Sequence, residues 1–150
     1  MKMVLVMTVL VLTGCSSAHQ VNPAAALQGA CGSKSDISMD AALGPIVAGR
    51  AHGITAAVNI QNAHVPPLAG DQVKFVWRIT GTGTPTFVLT GPKGSRATRD
   101  FGPEPHGGSN WNAPGDEWGT GFQFSAAGCW QITVSRTGGS AQLWVGVGKA

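Results

Sequence analysis

Charge is scarce in this sequence: Asp, Glu, Lys and Arg make up only 11% of the residues, against 43% hydrophobic ones. A long disordered chain needs the opposite balance, low hydrophobicity with high net charge, so disorder and coiled coil are both excluded for the bulk of the chain. Basic tracts are absent too. The ten Lys and Arg are scattered singly, and a net charge of +3 spread in that way leaves no nucleic-acid footprint. Catalytic signatures are missing: there is no G-x-S-x-G, no P-loop and no H-E-x-x-H. Neither C-x-x-C nor H-x-x-x-H occurs, so no short-spaced metal motif is present. The one apolar run, residues 3–12, is far shorter than the roughly 20 residues needed to cross a bilayer.

What the chain does have is glycine and proline, 22 and 9 of them in 150 residues, which with this length points to one turn-rich β domain. At the amino terminus, Lys2 precedes the apolar run, and polar Ser16, Ser17, His19 and Gln20 follow it, the layout of a signal peptide. Within that layout, Leu12-Thr13-Gly14-Cys15 resembles the lipobox of bacterial lipoproteins. The resemblance implies cleavage before Cys15, diacylglycerol on its thiol, and a domain held by lipid at the extracytoplasmic face of the cell membrane. Two or three acyl chains hold firmly where one is marginal, since each buried CH₂ contributes about 0.8 kcal/mol. An ordinary secretory signal is the alternative, and it leaves Cys15 as an odd thiol in an exported protein. The expected organisation is therefore a signal peptide over 1–14, the lipidated cysteine and a flexible tether over 15–30, and a domain over 31–150. Fully extended, such a tether reaches at most about 50 Å.

With Cys15 set aside, Cys31 and Cys129 form an even pair in an oxidising compartment, and a disulfide is expected between them. Residues 72–79 alternate, with Val73, Phe75, Trp77 and Ile79 on one face, which predicts a half-buried strand. Further strands are expected at 54–60, 86–90, 121–124, 129–136 and 141–147, with 46–48 as an edge and a short helix within 33–43. Thr137-Gly138-Gly139-Ser140 predicts a hairpin joining the last two. About seven short strands of this spacing predict an all-β fold, an immunoglobulin-like antiparallel β-sandwich. Alternation also places Trp130, Ile132 and Val134 inside and Cys129 outside, so the bridge should staple the amino-terminal segment to the outer surface.

The segment from Phe122 through Gly128-Cys129-Trp130 to Val134 resembles the strand, corner, strand unit of Ig-like and PKD-like extracellular domains. More widely, Phe75-Val76-Trp77-Arg78, His106-Gly107-Gly108-Ser109-Asn110-Trp111 and Pro114-Gly115-Asp116-Glu117-Trp118 resemble a group of secreted or lipid-anchored proteins of Gram-positive bacteria. That likeness bears on localisation and fold and implies no chemistry.

Residues 91–119 show no strand pattern, and a structureless stretch of that length is usually functional. It holds His106, Trp111, Asp116, Glu117 and Trp118, which form the candidate binding surface. Either the two indoles close one end of the sandwich as a lid, or one presents a flat amphipathic face to an envelope protein or a cell-wall glycan. His106, Asp116 and Glu117 are the one group from which a metal site would be built if the loop folds back. Asp116 and Glu117 are adjacent, so on an extended chain they point opposite ways, a poor glycosidase pair. The expected function is a non-enzymatic, cofactor-free binding module of the envelope, with a metal-binding protein or a cell-wall hydrolase as alternatives.

Overall fold

The computed structural model describes residues 22–150. A short helix α1 (Pro23–Gln28) and a single 3₁₀ turn (Gly29–Cys31) lead into ten strands. These are β1 (Asp36–Asp40), β2 (Gly44–Ala48), β3 (Arg50–His52), β4 (Ala56–Gln61), β5 (Gln72–Ile79), β6 (Thr82–Thr90), β7 (Thr98–Pro105), β8 (Asp116–Gln123), β9 (Gly128–Thr137) and β10 (Gly139–Val147). One sheet has the order β1-β2-β4-β5-β8-β7 and the other β3-β10-β9-β6, with every pairing between named strands antiparallel. The fold is the all-β antiparallel sandwich that the strand pattern predicts.

The core lies between the sheets and is built by alternation. Val73, Phe75, Trp77 and Ile79 of β5 face Trp130, Ile132 and Val134 of β9 and Leu143 and Val145 of β10 across one cluster, all but inaccessible to solvent. Its aromatic members pack mostly edge to face or tilted, as with Phe124 and Trp130 at 5.0 Å, while Phe75 and Trp77 stack at 5.7 Å. The buried indole N–H groups of Trp77 and Trp130 donate to Thr120 Oγ1 at 2.8 Å and the Ala126 carbonyl at 2.9 Å. Cys129 lies on the opposite face of β9, where it is bonded to Cys31 across 98 residues. As expected, the bridge lies on the outside of the four-stranded sheet, although the helix ahead of it reaches the core through Leu27.

Four expectations need correction. The strands number ten rather than about seven, because β1, β3 and β7 carry no apolar alternation strong enough to mark them. Within 33–43 the chain forms not a helix but the hairpin of β1 and β2, turned by the Asp40 carboxylate, which accepts from the backbone of Ala42 and Leu43 at 2.8 and 2.9 Å. The expected tether is ordered from residue 22: Asn22 caps α1 through the Ala24 N–H at 3.0 Å, Pro23 opens the first turn, and Leu27 is fully buried in the core. The remainder of that segment, and with it Cys15 and the signal peptide, lies outside the described residues. Finally, 91–119 is not one loop. It contains β7 and the first half of β8, leaving a connection of about ten residues between them, shorter than the roughly 12–15 beyond which a structureless loop is usually functional.

The segment before β5 is held by one carboxylate. Asp71 accepts from the Leu68 backbone N–H at 2.9 Å, from Asn62 Nδ2 at 2.8 Å and from His64 Nδ1 at 2.9 Å. These hydrogen bonds, the Leu68 N–H foremost, lower its pKa from 3.8 to about 2. A depressed carboxylate stabilises the fold above its ordinary pKa, and that contribution disappears as pH falls towards the folded value. An Asp71→Asn variant is therefore expected to unfold with less dependence on pH between about 4 and about 2, read from denaturant midpoints across that range.

Candidate functional site

On the outer face of the six-stranded sheet, the register of β5 and β8 sets Arg78 opposite Glu117. Their side chains meet at 3.0 Å, Arg78 Nη2 to Glu117 Oε2, and only 4% of the Glu117 side chain is exposed. His106 Nδ1 bonds to the other carboxylate oxygen, and Ser109 Oγ donates to Oε2. Arg78 in turn donates to the Gly115 carbonyl at 3.2 Å and to that of Trp111. The ion pair thus fastens both ends of the β7–β8 connection to the sheet. Lys74, four residues before Arg78 on the same face of β5, brings its Nζ within 3.5 Å of His106 Nε2.

Burial pushes the Glu117 carboxyl up, but the hydrogen bonds from Ser109 and His106 and the charges of Arg78 and His106 outweigh it. The group ends below the ordinary carboxylate range. A carboxylate so occupied holds the loop and lacks the raised pKa of a general acid.

The candidate residues divide accordingly. His106 and Glu117 come together as one cluster. Asp116 does not join them: it lies on the other face of β8, two-thirds exposed, and pairs with Arg136 at 2.8 Å. The metal group His106, Asp116 and Glu117 is thereby corrected, since alternation on a strand sends the two carboxylates to opposite faces. Among the described residues no cluster of three or more His, Cys, Asp or Glu side chains has metal-binding geometry.

Trp118 and Trp111 are both buried, at 9% and 8% exposure, so neither indole offers an open face. Trp118 belongs to the core near the start of β8, with the Arg136 guanidinium 5.4 Å from its ring centroid. Its Nε1 is buried without a hydrogen-bond partner, unlike that of Trp77. Trp77→Phe is therefore expected to cost about 1 kcal/mol more than Trp118→Phe, because only the former strands a hydroxyl, that of Thr120. Urea unfolding of the two variants measures the difference.

Trp111 sits where the loop meets the β1–β2 turn. There an open cleft of about 330 Å³ is lined by Asp40, Ala42, Leu43, Asn110, Trp111 and Asn112. The sequence alone did not single out Arg78, Ser109, Asn110, Asn112 or Asp40. Arg78 alone carried a signal, as a charge on the outward phase of β5, and it shared that signal with Lys74.

No family model matches the chain, and neither curated proteins nor solved structures provide a match.

Proposed function

We propose that the chain is a lipid-anchored extracytoplasmic domain that acts as a non-enzymatic binding module of the cell envelope, its ligand a neutral cell-wall glycan held in the cleft beside Trp111. The observation that carries this reading is the lining of the cleft: one indole edge, the two amide side chains of Asn110 and Asn112, and one carboxylate, Asp40, with no cation among them. Amides and carboxylates pair with sugar hydroxyls, and the small exposed part of Trp111 gives the ring one apolar contact. A cleft without cations selects a polyol over a phosphate or a carboxylate ligand. The fastened loop beneath supports the reading, since a site already in its bound shape loses less entropy on binding.

Anchoring rests on the lipobox ending at Cys15, and the Cys31–Cys129 bridge is the kind of cross-link that an oxidising compartment maintains. No helix among the described residues is long and apolar enough to cross a membrane. The test has two parts. Intact mass of membrane-extracted protein should show cleavage before Cys15 with diacylglyceryl added, and Cys15→Ser should leave the protein unanchored. Calorimetric titration with soluble peptidoglycan and neutral wall-polysaccharide fragments should give binding that an Asn110→Ala, Asn112→Ala double variant loses. Firm membrane retention of Cys15→Ser would sink the anchor, and equal binding by the double variant would sink the cleft.

A further inference from the structure

Away from that cleft, β6 forms a free edge of the four-stranded sheet and β7 a free edge of the six-stranded one. Free edges are usually blunted by charge, proline or a bulge. In β6, Pro85 and a shift of register between Thr82 and Thr86 blunt the first half. The second half, residues 86–89, has neither, carries no charge, and leaves Val88 53% exposed. Beyond it the chain turns, with the Gly91 N–H donating to the Ser95 carbonyl at 2.9 Å, and Arg96 returns to form one antiparallel bridge with Thr90. The chain then leaves for the other sheet as β7. It has laid down the first bridge of another strand on β6 and gone no further.

The gap between the two edges is an open groove of about 190 Å³. Phe87, Leu89, Ala97 and Phe122 form its floor, and Arg96 and Arg99 its rim. The Arg99 guanidinium lies 6.0 Å from the Phe122 ring. No carboxylate among the described residues forms an ion pair with either arginine.

We propose that this groove docks an extended polypeptide segment of alternating apolar and acidic residues, which continues the strand begun at Arg96 along residues 86–89 of β6. An added strand satisfies the open backbone edge, and its alternate side chains point down onto the apolar floor. The remaining side chains face the arginine rim, which selects carboxylates by charge complementarity. A second copy of this chain is the poorer occupant, because edge-to-edge pairing of two β6 strands brings two arginine rims together. A lipid surface supplies anions but leaves the strand edge unpaired.

The probe is a displayed library of random 12-residue peptides selected on the intact, disulfide-bonded protein. Recovered sequences should alternate aliphatic residues with Asp or Glu. Synthesised representatives should shift the backbone amides of residues 86–89 and protect from exchange those among them that face the free edge rather than β9. An Arg96→Glu, Arg99→Glu double variant should bind them at least about tenfold more weakly, with an unchanged melting temperature and a reduced salt dependence. Val88→Lys, which alters the edge and leaves the rim intact, should also weaken binding. Failure to enrich any such pattern, perturbation of amides elsewhere, or equal binding by the double variant would overturn the proposal. Dimerisation dispersed by Val88→Lys would replace it with self-association. Binding to anionic phospholipid vesicles that depends on the arginines, without peptide enrichment, would replace it with a lipid surface.

Discussion

Removing the Cys31–Cys129 bridge, by Cys31→Ser together with Cys129→Ser or by reduction, is expected to lower the melting temperature by about 10–20 °C. The bridge closes 98 residues of chain, and cross-linking a loop of that order restricts the unfolded state by about 4–5 kcal/mol in the chain-entropy account. Calorimetry of the oxidised and reduced protein measures the loss directly. Non-reducing peptide mapping should recover the two cysteines in one linked peptide. The loss should be felt first at α1 and the 3₁₀ turn, which the bridge pins, so amide exchange there should rise before exchange in β5 or β9. Uniform loss of protection would mean that the segment and the sandwich unfold as one unit.

Glu117→Ala is expected to cost about 3–5 kcal/mol, since it strands the Arg78 guanidinium beside a carboxylate-shaped void. The variant also removes the acceptor that holds His106 and Ser109, so the β7–β8 connection should lose its fastening at the same time. Glu117→Gln keeps the shape and isolates the charge. Because the carboxyl pKa is lowered in the fold, its contribution is complete above the ordinary value of 4.5 and is lost as pH falls through the folded value. Wild type should therefore lose stability on acidification over that window more steeply than Glu117→Gln. Parallel slopes would show that the charge on Glu117 contributes nothing to the fold, whatever its hydrogen bonds contribute. The same variants bear on binding: loosening the loop carries Asn110, Trp111 and Asn112 with it, so glycan affinity should fall in Glu117→Ala even though Glu117 does not line the cleft.

The parts of this fold that were legible in the sequence are those in which burial is one-sided. In β5, large apolar residues at 73, 75, 77 and 79 alternate with Gln72, Lys74 and Arg78, and only Val76 breaks the pattern. The same holds for β9, where the phase of Trp130, Ile132 and Val134 correctly placed Cys129 outside. β7 was illegible because an edge strand has one neighbour and little to bury: Thr98–Pro105 contains three charges and two prolines, and two shifts of register accommodate them. The early part of β8 was hidden by its glycines. Of its two outward positions, Gly119 shows no side chain and Glu117 is a lone charge, too little to mark a strand by alternation. α1 escaped because six residues with a single buried Leu27 form no period.

The site was half legible for a similar reason. His106, Trp111 and Glu117 stand out as scarce residue types in a long connection, but what Glu117 does depends on Arg78, its partner across a strand register that no local pattern encodes. Asp116 and Glu117 look equivalent in the sequence. Strand alternation alone gives one to the core-side arginine, Arg136, and the other to the outer face.

The Cys31–Cys129 staple also fixes how the domain responds to pulling. A load applied between the two ends of the described chain enters at α1, crosses the covalent bridge into β9, and leaves through β10, bypassing everything between residues 31 and 129. Only the helix and the last two strands can pay out, roughly 30 residues or about 100 Å of slack at full extension. The remaining eight strands are outside the line of force. The domain should yield as a short-stroke coupler with a hard stop, and a reducing agent should remove that stop.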